Sequence, residues 1–207
     1  MSAMPSFDLF TIGHSNIAPE RFVAMLQDAG VNMIADVRSL PASRRFPWFS
    51  KDALAARLAR AGIGYLPMGD TLGGRPRHDA LYRDGVADYE AMASQPEFLS
   101  GLDRLSKVTA QARVCLLCAE RDPLDCHRGL LVARRLAERG QSVGHILHDG
   151  TIAPHAAIEA RLLPPGDGAA DLFPAGQAER LAAAYRRRAR AVAFRRKSAP
   201  AAVAETK

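Results

Sequence analysis

The feature that most constrains this chain is a run of five apolar residues, Val114 to Cys118 (VCLLC), with no polar face. A strand with one wet face alternates apolar and polar side chains, whereas a strand covered by helices on both faces does not. Four other runs read as strands: Asp8 to Ile12, stopped by Gly13; Val31 to Val37; Ile63 to Leu66; and Val143 to Leu147. Helical spacing fills the gaps between them. Pro19 to Ala29 puts Phe22, Met25, Leu26 and Ala29 on one side, with Pro19 suited to a first turn and Gly30 to a C-cap. Asp52 to Ala61 closes at Gly62, Ala87 to Val108 is helical with an interruption at Pro96, and Leu130 to Arg139 ends at Gly140. Strands alternating with helices imply right-handed crossovers and parallel pairing. The expected fold is an open, mainly parallel five-stranded sheet with helices on both faces, a Rossmann-like three-layer sandwich. Five strands are too few for an eightfold barrel.

The α/β domain is expected to span residues 1–162, which suits a chain of 207 residues that is 48% hydrophobic and 24% charged. Leu163 to Ala169 (LPPGDGA) is linker-like, and the linker is drawn over residues 163–176. Gln177 to Phe194 is amphipathic, with Leu181, Ala184, Tyr185, Ala189 and Val192 on one side, so a basic helix is expected over residues 177–197. Residues 198–207 read as a disordered tail. The net charge of +6 is concentrated: residues 175–197 hold eight basic residues against Glu179, which leaves the rest of the chain near neutrality.

No apolar stretch approaches the ~18 residues needed to cross a bilayer, and the N-terminus has neither the basic start nor the apolar run of a signal peptide. A cytoplasmic location and no membrane partner follow as expectations. Three cysteines, Cys115, Cys118 and Cys126, make a poor disulfide framework. They are core filler, reactive thiols or metal ligands.

In open α/β sheets the ligand crevice lies beyond the carboxyl ends of the strands, and the polar residues of this chain concentrate there. Strand one delivers His14, strand two Asp36 and Arg38 followed by Ser43 and Arg44, strand three leads to Gly73, Gly74 and Arg75, and strand four to Glu120, Cys126, His127 and Arg128. His14, Asp36, Glu120, Cys126 and His127 are the candidate catalytic residues. Histidine serves as acid or base near neutral pH, or as a cap bonded to backbone. Asp36 and Arg38, two apart on a strand, share a face, which suits an ion pair as well as catalysis. Capping of the next helix by Asp122 or Asp125 would set Cys126 at its positive end and, with Arg128, favour thiolate. Arg38, Ser43, Arg44, Arg75 and Arg128 form the candidate anion-binding set. Trp48 and Phe49 after Pro47 are either an exposed stacking lip or a buried pair.

The runs TIGHSN (Thr11 to Asn16), ADVRSLPASRRFPWF (Ala35 to Phe49), GIGYLPMGDTLGG (Gly62 to Gly74), LLCAERDPLDCHR (Leu116 to Arg128) and the late DLF (Asp171 to Phe173) resemble the family catalogued as domain of unknown function 488. The resemblance covers almost the whole chain in order and implies an α/β fold and a shared site, without a reaction.

The residues therefore carry the expectation of function: an enzyme, a hydrolase or transferase, acting on a phosphate-bearing substrate, with nucleic acid or a nucleotide favoured. Cys126 is its nucleophile or a ligand, and His14 and Glu120 are its acid and base. Arg186, Arg187, Arg188, Arg195 and Arg196 on the basic helix would contact nucleic acid phosphates. A non-catalytic nucleic-acid or nucleotide-binding module is the alternative, and a thiol-dependent redox or sulfur-transfer protein the third, although the H-C-x5-R spacing of cysteine phosphatases is absent. Cys118, Cys126 and His127 are of the right types for a zinc or iron site, but C-x7-C-H matches no common structural zinc spacing. No metal and no cofactor is assigned, and the Gly73-Gly74 pair fits no phosphate-loop or dinucleotide fingerprint.

Overall fold

The computed structural model describes residues 6–163 and 174–196. In chain order its strands are β1 (Leu9–Gly13), β2 (Met33–Asp36), β3 (Gly64–Pro67), the short pair β4 (Tyr82–Arg83) and β5 (Val86–Ala87), β6 (Val114–Cys118), β7 (Val143–Ile146) and β8 (Ile152–Pro154). The helices are α1 (Pro19–Asp28), α2 (Lys51–Arg60), α3 (Gly69–Leu72), α4 (Tyr89–Ala93), α5 (Pro96–Thr109), α6 (Arg134–Glu138), α7 (His155–Ala160) and α8 (Pro174–Val192). The protein is an α/β sandwich around a six-stranded sheet of order β3-β2-β6-β1-β7-β8, parallel throughout except for β8 at its edge.

β6 lies between β1 and β2, and all five of its residues are buried. That position explains why VCLLC needs no polar face. One side of the sheet presents Phe10, Ile12, Ile34, Cys115 and Leu117 to Phe22 and Leu26 of α1 and Leu54 and Leu58 of α2. The other side presents Leu9, Val37, Leu116 and Val143 to Phe98, Leu102 and Leu105 of α5, Leu130 and Leu136, Ile158 of α7 and Tyr185 of α8. The period of two along each strand thus sends alternate side chains into two separate cores.

Several boundaries differ from the sequence expectation, each for a local reason. A sixth strand, β8, follows a turn at Asp149 and Gly150, the latter at φ 98°. With three residues it is too short to show a period. The helix expected over Ala87 to Val108 begins instead with strand residues. Asp84 and Gly85, at φ 52° and 73°, turn β4 back onto β5 as a two-residue Asp-Gly hairpin. Asp88 then caps α4, accepting from the N–H groups of Glu90 and Ala91, and Pro96 opens α5. The helix expected from Leu130 starts earlier, as a π-helical stretch over Arg128–Ala133 that runs into α6.

The basic helix spans Pro174–Val192, not Gln177 to Phe194. Beyond it Phe194 is extended: its carbonyl accepts from the Ala87 N–H (2.9 Å), and Arg195 bridges Val86. Ala184 and Tyr185 are buried against the body. Most of the expected linker, the DLF run, Lys197 and the expected tail lie outside the described residues. Among the described residues no helix is long and apolar enough to cross a membrane.

Candidate functional site

β2 ends at Asp36, whose carboxylate holds Arg38 in place. It accepts from the Arg38 backbone N–H (3.1 Å), from Nε (2.9 Å) and from Nη2 (2.6 Å), and the Tyr65 hydroxyl of β3 donates to it as well (2.6 Å). Both partners are buried, so the charge pair has strong mutual need. Arg38 Nη1 donates to the Phe49 carbonyl (2.7 Å) and lies 3.3 Å from His14 Nε2. His14 Nδ1, 3.1 Å from the Ser15 carbonyl, donates to it, which leaves Nε2 as the acceptor facing Arg38. The imidazole is stacked on Phe49 with ring centroids 4.2 Å apart. Burial, and then the Arg38 charge, hold His14 down to about 4, so it is neutral at pH 7.

β6 ends at Cys118, and the chain returns through a short 3₁₀ turn (Pro123–Asp125) to Cys126. Asp122 caps that turn through the Leu124 N–H (2.8 Å) and not the helix that follows. Asp125 does not cap that helix either. Its carboxylate pairs with Arg188, and the start of the helix is held by Cys126: its carbonyl accepts from Gly129 and Leu130, and its Sγ accepts from the Arg128 N–H (3.4 Å). His127 Nε2 donates to the Val37 carbonyl (2.8 Å). This fixes the tautomer and turns the Nδ1 lone pair toward Cys118 Sγ (3.6 Å) and Cys126 Sγ (3.9 Å). The Cys118 thiol donates to Glu120 Oε2 (3.0 Å).

The two thiols are pushed in opposite directions. Burial, together with the neighbouring Cys126 and Glu120, pushes the Cys118 thiol up. Against the opposing effect of burial, the Cys118 thiol, Arg128 and His127 hold Cys126 low. Burial and the Cys126 charge raise Glu120, and Cys126 raises His127 although burial opposes it. Cys115, on the opposite side of the sheet, is buried with its thiol pushed up and takes no part. Cys118, Cys126 and His127 are the one group of three His, Cys, Asp or Glu side chains among the described residues whose ligand atoms all lie close together, within 4.8 Å.

Two openings meet here. A pocket of 240 Å³ is lined by Cys118, Glu120, Cys126, His127, Tyr89 and Gly74. A cleft of 990 Å³ lies beyond β2 and β3, with Lys51, Arg75, Arg77 and Arg104 on its walls. They share Arg38, Ser39, Leu40, Arg75 and Phe194 as a common border. The Gly-Gly pair serves this geometry: a Cβ at Gly74 would come 2.7 Å from the His127 ring, and one at Gly73 would come 2.2 Å from the Gly69 carbonyl. The backbone at Gly74 thus comes close against His127.

His14, Asp36, Arg38, Glu120, Cys126 and His127 are therefore gathered at the carboxyl ends of β1, β2 and β6. The expected anion set does not stay together. Arg38 is spent on Asp36. Arg128 is buried and donates to the carbonyls of Glu120 (2.7 Å) and Arg121 (3.0 Å), packed against Gly13, where no Cβ fits. Both are structural cations, not open clamps. Ser43 is occupied by the loop, accepting from the Phe46 N–H (3.0 Å). Arg44 is exposed and lines neither opening, whereas Arg75 borders both, as the Asp36-paired Arg38 does, with its guanidinium over the Phe194 ring at 4.7 Å. Trp48 is exposed whereas Phe49 is core, so these two rings form no shared lip; Trp48 lies instead tilted against Phe46, with ring centroids 5.8 Å apart. On the basic segment Arg188 pairs with Asp125, Arg190 with Asp84 and Arg196 with Asp79, while Arg186, Arg187 and Arg195 are exposed.

Tyr65, Tyr89 and Phe194 belong to the site without having been among its candidates. Tyr65 had a usable signal, since it stands two residues after Ile63 in a strand aligned with β2. Phe194 had none, because only the tertiary docking of α8 brings it to the border. A family model described as "Domain of unknown function DUF488" matches residues 18–135, a span that contains Asp36, Arg38, Glu120, Cys126 and His127 but not His14 or α8. No curated protein and no solved structure matches the chain.

Proposed function

The chain belongs to the DUF488 family, whose description names no reaction, and from its own residues we propose an enzyme acting on a phosphate-bearing substrate, with a nucleotide or nucleic acid favoured. The observation that carries this reading is the junction of the two openings: a small, polar, thiol-lined pocket beside a large cleft with a cationic wall. The reacting group would enter the pocket of Cys118, Glu120, Cys126 and His127. The remainder of the substrate would lie in the cleft, with Arg75 at the border and Lys51, Arg77 and Arg104 along the wall meeting phosphate charge. Glu120 is the residue best placed to hold or move a proton at the reacting atom. Neutral His14 orients Arg38, and Arg38 in turn frames the border. Free thiols at the centre of such a site accord with a reducing, cytoplasmic setting.

The test is equilibrium binding of inorganic phosphate, a nucleoside monophosphate and a labelled oligonucleotide to the full chain, followed by mass analysis of the ligand after incubation. We expect Arg75→Ala to weaken binding about tenfold, the loss of one charged hydrogen-bonding partner. Glu120→Gln should bind the ligand but leave it unconverted. A ligand bound tightly yet returned unchanged by the parent would favour the recognition module instead. Failure of all three probes to bind would end the phosphate reading.

A further inference from the structure

We propose that Cys118, Cys126 and His127 form a binding site for one zinc-class divalent ion, with three protein ligands and a fourth position open to the 240 Å³ pocket.

The spacing of the donors is the first support. A tetrahedral ion with metal–sulfur bonds of about 2.3 Å and metal–nitrogen bonds of about 2.0–2.1 Å sets its S···N edges at roughly 3.6 Å. The observed separations are 3.6 Å from Cys118 Sγ and 3.9 Å from Cys126 Sγ to His127 Nδ1. Both S···N edges are thus close to those such an ion requires, and all three donor atoms lie within 4.8 Å of one another. Two thiolates and an imidazole are also the donor set that favours zinc over the harder, oxygen-seeking ions.

The surroundings of the ligands are the second support. A metal-binding imidazole characteristically donates its other N–H to a carbonyl or carboxylate, which fixes the tautomer. His127 Nε2 does this to Val37, and the ring is pinned from behind by Gly74. The Arg128 N–H directed at Cys126 Sγ would support a bound thiolate in the same way. Glu120, 3.0 Å from Cys118 Sγ, is closer than a tetrahedral S···O edge of roughly 3.6 Å allows, so it stands beside the ion and not on it. Three protein ligands with an open fourth position define a catalytic rather than a structural zinc site. The spacing C-x7-C-H escapes the familiar structural patterns for that reason: Cys118 comes from a strand end and the Cys126-His127 pair from the start of the following helix.

The site deepens the proposed function by supplying a Lewis acid where the reacting group would bind, and its test needs no substrate. Full-length protein purified without chelator should carry about one zinc per chain by elemental analysis. The reduced, metal-free chain should take up one equivalent of Co²⁺ with thiolate-to-cobalt charge-transfer absorption. Cys118→Ser and Cys126→Ser should each lose much of that absorption, and Cys115→Ala should keep it. Because either site serine could also impair folding, Gly74→Ala provides a second arm. It retains every donor, displaces His127, and should weaken Co²⁺ binding by about 10–100-fold, the scale seen when an outer-shell support is lost. Three results would overturn the site. They are a reduced, folded chain that binds no Co²⁺ through thiolate, absorption that persists unchanged in Cys118→Ser, or a Cys118–Cys126 disulfide as the stable state, read as a mass two hydrogens short. Retained metal with no phosphate ligand bound would spare the site and remove only the proposed function.

Discussion

Replacing Asp36 by Asn would leave the Arg38 guanidinium buried without its counter-charge, and the asymmetry of buried pairs makes this a costly change. We expect Asp36→Asn to lose about 3–5 kcal/mol in urea unfolding. Tyr65→Phe, which removes one donor but leaves the pair intact, should lose about 1 kcal/mol or somewhat more. Equal losses in the two variants would mean that Asp36 is held mainly by Tyr65 and not by Arg38. At this scale the sequence shows which residues meet but not what they do on meeting. The position of Asp36 two residues before Arg38 is enough to place them on one face. Nothing in the string reveals that Arg128 would turn inward to two carbonyls, because that depends on the path of the loop at Glu120 and on the missing Cβ of Gly13. The Cys118 and Cys126-His127 cluster was visible as residue types, while the closeness of its donor atoms needed the distances.

Among the elements, α8 differs most from its expectation as a basic appendage. Tyr185 is buried in it, donating to Glu159 (2.8 Å) and standing 3.1 Å from His155, under the Arg134 guanidinium. A chain ending before Pro174 would expose this contact and should unfold at markedly lower urea than the full chain. A truncated protein as stable as its parent would show that α8 merely rests on the surface. The exposed arginines are a separate matter. Arg186, Arg187 and Arg195 replaced together by Ala should change stability by no more than about 0.5 kcal/mol each. If this face holds nucleic acid, the salt dependence of oligonucleotide binding should become shallower by up to about three in log–log slope. Long periodic segments such as α1 and α2 were legible because one apolar stripe determines them. The β4–β5 hairpin was missed although Asp84-Gly85 is a hairpin signal, because two-residue strands carry no period to draw attention to it and the helical pattern of the following residues overrides them.

Across the whole molecule, a buried line of hydrogen bonds ties the sheet to its outer helices. Thr11 Oγ1 meets His145 Nδ1 (2.8 Å), His145 Nε2 meets His155 Nδ1 (2.8 Å), and His155 Nε2 meets Tyr185. Burial lowers both histidines, His145 further through its neighbour His155. Above about pH 6.5 both are neutral whether the chain is folded or unfolded, and they add no pH dependence. Below it the unfolded chain takes up protons that the folded one resists, so stability should fall as the pH drops through 6 toward 5. Urea midpoints should follow that direction, and the fall should be shallower in His155→Gln. A midpoint that does not move between pH 7 and 5 would contradict the neutral pair. The overall class was legible because alternating runs leave few topologies, but strand order was not. It is set by which edges meet in space, and here β6 sits between two strands that are its predecessors by about 80 and 105 residues. This insertion has a consequence for how the chain can be made. β1 and β2 have no hydrogen bonds to each other, so everything synthesised before Val114 has an empty slot at its centre. A nascent chain or fragment ending near residue 110 should hold no native sheet pairing beyond β2–β3 and the β4–β5 hairpin and should bind hydrophobic dyes. The slot fills only when β6 arrives, so the molecule should acquire its fold late and at once, at the slow pace expected of distant pairings.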